Sequence, residues 1–147
     1  MLFSEDQILM DLTVTTKEEL IRQLVLQAAA SGKVTNVEEV IASVLKREAM
    51  SSTGFGKGIA IPHGQTEAVL EPSLWVGKTR TRIEWNSLDG EPVQIVFLIL
   101  VPATAQSEHL NILAQLARKL MHDEFVESIH STTSAKEMMD ILSQSIQ

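Results

Sequence analysis

A run of nine residues, Val93–Val101, constrains the fold of this chain more than any other segment. Gln94 is the only polar residue in the run, and Pro102 ends it. Because so many of these side chains are branched at the β-carbon, the run favours a strand over a helix. A strand that is apolar at nearly every position has to be covered on both of its faces. The sequence therefore predicts a central strand with another layer packed on each side.

Amphipathic helices are predicted on both sides of this strand in the chain. Thr16 and Glu19 form a capping box, and apolar residues at helical spacing follow until Gly32. A second helix ends near residues 47–50, and a short one is expected around residues 125–129. The predicted capping residues of the four main helices are Thr16, Asn36, Ser107 and Ser134. The terminal helix is expected to continue through Ile146.

The middle of the chain is rich in extended segments. Residues 59–61 form a short one that Pro62 interrupts, residues 74–82 have a weak alternation typical of a strand, and Asp89-Gly90 is a turn signal. Helices on both sides of a strand-rich middle predict an α/β domain of stacked layers, with helices on both faces of the sheet. The order of the strands is left open by the sequence.

The charge of the chain excludes several classes of function. Acidic residues outnumber basic ones by 19 to 12 over 147 residues, so the net charge is −7. A general binder of nucleic acid or of anionic membranes would be repelled over most of this surface.

The absence of cysteine excludes disulfides and thiolate metal sites. With no apolar run of ~18–20 residues and no basic start typical of a secretory signal, we expect one soluble cytoplasmic domain, residues 1–147.

Four of the seven glycines lie within the eleven positions 54–64. Closely spaced glycines let the backbone approach a ligand and turn its N–H groups towards an anion. Residues 46–64 carry a charge of +2, from three basic residues and one acidic one, in a chain that is −7 overall. This stretch is therefore a candidate phosphate-binding loop. The candidate phosphate-binding residues, which would donate hydrogen bonds to the anion, are Ser51, Ser52, Thr53, Gly54 and Gly56.

His63 follows this loop, between Pro62 and Gly64. Proline fixes its own φ and glycine leaves space beside the ring, so the imidazole can be fixed at the end of a strand and still be reached. A neutral imidazole is a nucleophile towards phosphorus near pH 7, because its ordinary pKa is about 6.5. His109, in the first turn of the third predicted helix, and Arg47 would complete a phosphate site without metal.

Each of these features also has an ordinary structural explanation. Glycine loops are common turns, and this one is no P-loop, because Gly58 follows Lys57 where a P-loop needs Ser or Thr. His109 can be a surface or capping residue of its helix, and Arg47 can be a solvated residue that favours the helix dipole. From the residues alone we infer a candidate anion site and nothing more.

A longer pattern is more specific than its parts. Glu48, six intervening residues and then residues 55–64 (Phe-Gly-Lys-Gly-Ile-Ala-Ile-Pro-His-Gly) resemble the active-site signature of the fructose/mannitol-type enzyme IIA domains of the bacterial sugar phosphotransferase system. Residues 93–102 followed by 108–117 are similar to the family's second block. The resemblance covers essentially the whole chain. It implies the family's fold, a three-layer α/β/α sandwich with a central mixed β-sheet flanked by helices on both faces.

The resemblance also implies a mechanism and partners. His63 corresponds to the histidine that takes a phosphoryl group from the phosphocarrier protein HPr and passes it to a cysteine of an enzyme IIB. His109 corresponds to the second active-site histidine, and Arg47 to the arginine that neutralises phosphate charge in mannitol-type members. Because the sequence has neither a cysteine nor a membrane segment, enzyme IIB and the membrane component IIC are expected on other chains. The donor is a protein phosphohistidine rather than a magnesium nucleotide, so we expect no metal and no cofactor.

Two functions would use the same site. One is a phosphocarrier for uptake of a sugar or polyol that the sequence does not identify. The other is a regulatory enzyme IIA of the nitrogen-related type, whose phosphorylation on His63 controls its binding to target proteins. A degenerate domain without transfer is disfavoured, because every proposed site residue is present.

The other aromatic and histidine residues are predicted to lie in the core, beside the site or on the surface. We expect three large side chains in the core and Phe55 in an exposed apolar docking patch beside the site. His122 and His130 do not have metal-ligand spacing with His63 or His109, so we expect them on the surface. The three expected core residues are Trp75, Trp85 and Phe97.

Overall fold

A mixed sheet of six strands lies between two layers of helices in the computed structural model, which describes residues 4–104 and 110–145. The strands are β1 (Ile8–Leu12), β2 (Gly54–Gly56), β3 (Ile59–Ala60), β4 (His63–Gln65), β5 (Ser73–Ile83) and β6 (Val93–Val101). The helices are α1 (Lys17–Ala30), α2 (Val37–Met50), α3 (Leu110–Leu120), α4 (Asp123–His130) and α5 (Ala135–Ser145), and a 3₁₀ turn, Glu5–Gln7, precedes β1. The strand order is β1-β5-β6-β3-β2, with β4 also paired to β6.

β6 is the central strand of this sheet. It runs antiparallel to β5 and parallel to β3 and β4. Six consecutive residues of β6, 95–100, are buried, and their side chains alternate between the two faces of the sheet. The prediction of a strand covered on both faces is confirmed, with the same bounds.

The two faces of the sheet have separate hydrophobic cores. Helices α1 and α2 cover the face that carries Val96, Leu98 and Leu100. Residues of α3, α4 and α5 cover the opposite face, which carries Ile95, Phe97 and Ile99. The predicted three-layer sandwich with a mixed central sheet is confirmed. None of the helices within the described ranges is long and apolar enough to span a membrane.

The helices begin where capping residues are predicted. The Thr16 hydroxyl accepts the Glu19 N–H at 3.1 Å, and the Glu19 carboxylate accepts the Thr16 N–H at 3.1 Å. Asn36 caps α2 and Ser134 caps α5 through a bond of the same kind. Such caps satisfy N–H groups that the first turn leaves free. Ser107, the predicted cap of the third helix, lies outside the described residues, as does Ile146.

The strand β1 is not indicated by the sequence pattern. It pairs in parallel with β5, and its register shifts between Leu9 and Leu12. Asp11, within that irregularity, has a φ of 55°. Five residues interrupted by a bulge show no sustained alternation, and the partner strand is distant in the chain, so local periodicity carries no signal for β1.

Candidate active site

β3 and β4 follow one another along the same side of β6, with the same register before and after the break. The pairs are Ile59–Ile95, Ala60–Val96, His63–Ile99, Gly64–Leu100 and Gln65–Val101. Pro62 lies at the break, where it has no N–H to donate, but its carbonyl accepts the Ile99 N–H at 3.0 Å. The predicted interruption at Pro62 is present, and pairing resumes at once at His63. The backbone of His63 is thereby fixed as the first residue of β4.

The His63 imidazole is half-buried, and one of its nitrogens has a partner. Nδ1 lies 3.4 Å from the carbonyl oxygen of Ile61. A carbonyl oxygen can only accept, so Nδ1 carries the hydrogen in this contact. Nε2 is then the nitrogen with the free lone pair.

Burial lowers the pKa of His63 below its ordinary value, and the charge of Arg47 acts in the same direction. The hydrogen bond to Ile61 and the charge of Glu48 raise the pKa and partly oppose this shift. The imidazole is therefore neutral near pH 7, which is the form that has a nucleophilic lone pair.

Gly64 allows α2 to pack directly on β4. A β-carbon at this residue would lie 2.8 Å from Val44 Cγ2, so Val44 occupies the space that the glycine leaves. The Ser43 hydroxyl donates to the Gln65 carbonyl at 3.2 Å and accepts the Gln65 N–H at 3.1 Å. These contacts place the last turns of α2 beside His63.

Arg47 lies in the last turn of α2 and is partly exposed. Its guanidinium donates through Nη1 to the Ser51 carbonyl at 2.9 Å and to the Ser51 hydroxyl at 3.3 Å. The guanidinium lies close enough to His63 to affect its pKa. The structure therefore brings together the predicted nucleophile and the predicted charge-neutralising arginine.

The hydroxyls of Ser52 and Thr53 already have partners within the protein. Ser52 donates to the Trp85 carbonyl at 2.6 Å and accepts the Gly54 N–H at 3.0 Å. Thr53 donates to the Glu48 carboxylate and accepts from Trp85 Nε1 at 3.3 Å. Both hydroxyl hydrogens thus hold the loop in place. The Ser51 hydroxyl accepts from Arg47, and its own hydrogen has no acceptor among the described residues.

Glu48 is a residue of this site that the sequence reasoning did not single out. Its side chain is only 4% exposed, and it contacts Thr53 and the ammonium of Lys17. Its place at the first position of the signature is the feature of the sequence that could have identified it as a site residue. Its neighbours Lys46 and Arg47 gave no sign that it is buried.

The glycine hairpin extends away from His63. Gly54 pairs with Ala60 and Gly56 with Ile59, and these β3 residues pair with residues 95–96 of β6, whereas His63 pairs with Ile99. Three to four residues of strand separate these levels by about 10–13 Å. A β-carbon on Gly54 would lie 2.1 Å from the Ser87 hydroxyl oxygen, and one on Gly56 would lie 3.1 Å from the Asp89 carboxylate.

Lys57, the third basic residue of the loop, also points away from His63. Its ammonium pairs with Asp123 at 2.9 Å and donates to the Leu120 carbonyl at 3.2 Å. The positive charge expected along residues 46–64 is thus divided between two places, with Arg47 at the His63 end and Lys57 at the other.

Comparison with known proteins identifies the family. The sequence model of "Phosphoenolpyruvate-dependent sugar phosphotransferase system, EIIA 2" matches residues 1–145. The chain belongs to the EIIA 2 family. A fructose-specific EIIA component from Haloferax volcanii is 34% identical over 132 residues, which are 90% of this chain and 86% of that protein.

Two solved structures show the same EIIA fold. The nitrogen regulatory protein IIA-Ntr of Neisseria meningitidis is 32% identical, with a TM-score of 0.89 over 96% of each chain. A complex of enzyme IIA-Mtl with phosphorylated enzyme IIB-Mtl from Escherichia coli contains a chain that is 25% identical, with a TM-score of 0.80 over 97% of each chain. Sugar-specific and nitrogen-regulatory proteins are therefore both among the relatives of this EIIA chain, and the chain is a phosphotransfer component at the level of the family.

The remaining histidines of this EIIA chain have different outcomes. His109 lies outside the described residues. His122 is exposed, as expected. The expectation that His130 is a surface residue is wrong: the ring is half-buried, with Nε2 lying 2.8 Å from the Lys57 carbonyl and Nδ1 buried without a hydrogen-bond partner among the described residues. In residues 4–104 and 110–145 no three His, Asp or Glu side chains group as metal ligands.

Most of the aromatic residues lie where the sequence predicts them. Trp75, Trp85 and Phe97 are fully buried, which confirms the prediction that they belong to the core. Phe55 is half-buried and packs against the core on the α3–α5 face of the sheet, so only part of its ring is available to a partner.

Proposed function

We propose that this protein is a phosphocarrier of the phosphoenolpyruvate-dependent sugar phosphotransferase system. His63 accepts a phosphoryl group from phospho-HPr and passes it to a cysteine of a separate enzyme IIB during uptake of a sugar or polyol. The observation that carries this proposal is the His63 ring, which is half-buried, neutral near pH 7, fixed through Nδ1 by the Ile61 carbonyl and close to Arg47.

Each transfer is a nucleophilic displacement at phosphorus. The Nε2 lone pair of His63 forms a bond to the phosphorus of the donor phosphohistidine, and the donor N–P bond breaks with its electron pair returning to the donor imidazole. In the second transfer a thiolate of enzyme IIB forms the new bond, and the Nε2–P bond of His63 breaks. The guanidinium of Arg47 offsets the charge on the phosphoryl oxygens.

The loop residues have two kinds of role in this proposal. Ser51 has a hydroxyl hydrogen to offer and lies on Arg47, so we assign it a direct contact with the phosphoryl group. The other predicted phosphate-binding residues shape the loop that places Ser51 and Arg47. These are Ser52, Thr53, Gly54 and Gly56. His109 is proposed as the second histidine of the site on the family resemblance.

The partners are inferred from the family. The E. coli relative was solved in complex with a phosphorylated enzyme IIB, and 25% identity with 97% coverage supports a IIB protein as the acceptor here as well. None of the 147 residues is a cysteine, so the acceptor thiol lies outside them. HPr is the phosphoryl donor to His63, and the sugar or polyol taken up through the membrane component IIC is the final acceptor, which receives the phosphoryl group from enzyme IIB.

Reconstitution tests the proposal directly. The protein is incubated with labelled phosphoenolpyruvate, enzyme I and HPr, and the bound label is tested for stability in acid and in base. We expect an acid-labile, base-stable label that is absent from His63→Ala and kept by His122→Ala, whose exposed histidine is the matched control. A label that persists in His63→Ala would overturn the assignment. His109→Ala is expected to transfer more slowly while remaining folded.

A regulatory function is the second candidate. It is favoured by the 32% identity and the TM-score of 0.89 to the IIA-Ntr protein of Neisseria meningitidis. The same His63 would be phosphorylated, but the output would be binding to a target protein. Capture of partners by the phosphorylated and the unphosphorylated protein separates the two functions. An enzyme IIB as the partner supports sugar transport, whereas a kinase, channel or transcription regulator supports regulation.

A further inference from the structure

Glu48 is a buried carboxylate whose partners come from two different segments, the loop after α2 and the start of α1. Oε2 accepts the Thr53 N–H at 3.3 Å, and Oε1 accepts the Thr53 hydroxyl. The Lys17 ammonium, at the start of α1, lies 3.5 Å from Oε2. With its side chain only 4% exposed, Glu48 has these contacts in place of solvation by water.

Trp85 closes this group of contacts. Its Nε1 donates to the Thr53 hydroxyl at 3.3 Å, and the Lys17 ammonium lies 5.0 Å from the centre of its ring. The side chains of Glu48, Thr53, Lys17 and Trp85 therefore form a cyclic network in which every polar side-chain atom has a partner. Networks of this kind fix side-chain positions when all their members are satisfied.

Thr53 transmits the position of Glu48 to the nucleophile. The Thr53 carbonyl accepts the Ile61 N–H at 3.0 Å, and the Ile61 carbonyl is the group that contacts His63 Nδ1. The hydrogen bonds thus connect the Glu48 carboxylate to the imidazole through two residues, Thr53 and Ile61. The carboxylate also raises the pKa of His63, against the lowering caused by burial.

We propose that Glu48 is a positioning residue for phosphoryl transfer, which orients His63 through Thr53 and Ile61. This inference rests on the proposed function of His63. Glu48 does not touch the phosphoryl group. Its carboxylate keeps the Ile61 carbonyl where it selects the Nδ1–H form of the ring, so that Nε2 presents its lone pair.

Glu48→Gln is the first test, and Glu38→Gln is its control. Glu38 lies on the same helix but is exposed and paired with Arg22. We expect Glu48→Gln to slow transfer from phospho-HPr by about 10-fold to 100-fold. Imidazole NMR should show a lower pKa for His63 and a smaller fraction of the Nδ1–H form, while Glu38→Gln matches the wild-type protein. An unchanged rate, or a slower rate with unchanged pKa and tautomer, would overturn the proposal.

Thr53→Val is the second test and decides the matter if Glu48→Gln does not fold. It removes the hydroxyl while keeping the shape of the side chain and the charge of Glu48. We expect slower transfer and a smaller Nδ1–H fraction, with the His63 pKa close to that of the wild-type protein. Wild-type values for both rate and tautomer in Thr53→Val would overturn the proposal. If the wild-type protein accepts no phosphoryl group, the proposed function fails, and the NMR measurements still decide whether Glu48 orients His63.

Discussion

Gly64 of β4 and Val44 of α2 approach each other so closely that a β-carbon on residue 64 would lie 2.8 Å from Val44 Cγ2. Val44 is fully buried, and the next contact along the helix is the Ser43 hydroxyl on the backbone of Gln65. The helix that carries Arg47 is therefore packed on the strand that carries His63 through a contact that requires glycine.

Gly64→Ala is expected to lower the free energy of unfolding by about 1–3 kcal/mol, because the new methyl group overpacks the contact with Val44. Transfer to His63 should slow as well, since α2 and Arg47 are displaced. Urea unfolding and the rate of labelling by phospho-HPr measure the two effects.

The double variant Gly64→Ala/Val44→Ala is the control for Gly64→Ala. Removing Cγ2 of Val44 relieves the overlap, so the double variant should lose less stability than the sum of the two single variants. Additive losses would show that the overlap between these two residues is not the cause.

The rate of phosphoryl acceptance should be half-maximal at a pH below about 6.5, because the His63 pKa is lowered from its ordinary value. The neutral ring is the proposed nucleophile, so the rate falls as the pH passes the pKa of the folded state. Transfer from saturating phospho-HPr is measured against pH and compared with the NMR titration of the ring. A half-maximal rate above pH 6.5 that follows the imidazole titration would contradict this expectation.

Arg47→Ala should slow transfer by about 100-fold, because the loss of one preorganised donor removes charge stabilisation of the transition state. The pKa of His63 should rise, since the guanidinium lowers it. The fold should be kept, because the contacts of Arg47 are with Ser51 at the surface. Arg22→Ala, which removes an exposed arginine of α1 paired with Glu38, is the control. A wild-type rate in Arg47→Ala would make Arg47 a bystander.

The sequence predicts those parts of the fold that local patterns determine. The bounds of β6 follow from its apolar run and Pro102, and the starts of α1 and α2 follow from Thr16 and Asn36. His63 and Arg47 are found together because both belong to a recognisable segment and α2 leads directly into the loop.

Features that depend on distant partners are not predictable in this way. Glu48 follows two basic residues in the sequence, yet it is buried and contacts Lys17, 31 positions away. Lys57 is assigned to the anion site by its neighbours, but its partner is Asp123, 66 positions away. Local charge counts cannot reveal such pairings, because the topology of the sheet creates them.

His130 connects the end of α4 to the turn between β2 and β3. Nε2 lies 2.8 Å from the Lys57 carbonyl, which can only accept, so Nε2 carries the hydrogen. Nδ1 is buried without a hydrogen-bond partner among the described residues. Burial lowers the pKa of His130, and the nearby charges of Arg82 and Lys78 act in the same direction, against the effect of the Lys57 carbonyl.

Acidification should therefore destabilise the protein through His130. Its pKa is lower in the folded state than in the unfolded state, so the unfolded chain binds more protons once the pH falls below about 6.5. The contribution of neutral His130 to the free energy of unfolding is complete above about pH 6.5. It is lost as the pH falls through the pKa of His130 in the folded state. His63 contributes with the same sign, because its pKa is lowered too.

His130→Gln tests this expectation by urea unfolding between about pH 7 and pH 5, a range that spans the ordinary histidine pKa. The glutamine amide can still donate to the Lys57 carbonyl but does not titrate, so the fall in the free energy of unfolding should be shallower than in the wild-type protein. The exposed His122, changed to glutamine, should leave the slope unchanged. The double variant His63→Gln/His130→Gln should be flatter still. An equal slope in His130→Gln and the wild-type protein would show that the buried Nδ1 does not couple protonation to folding.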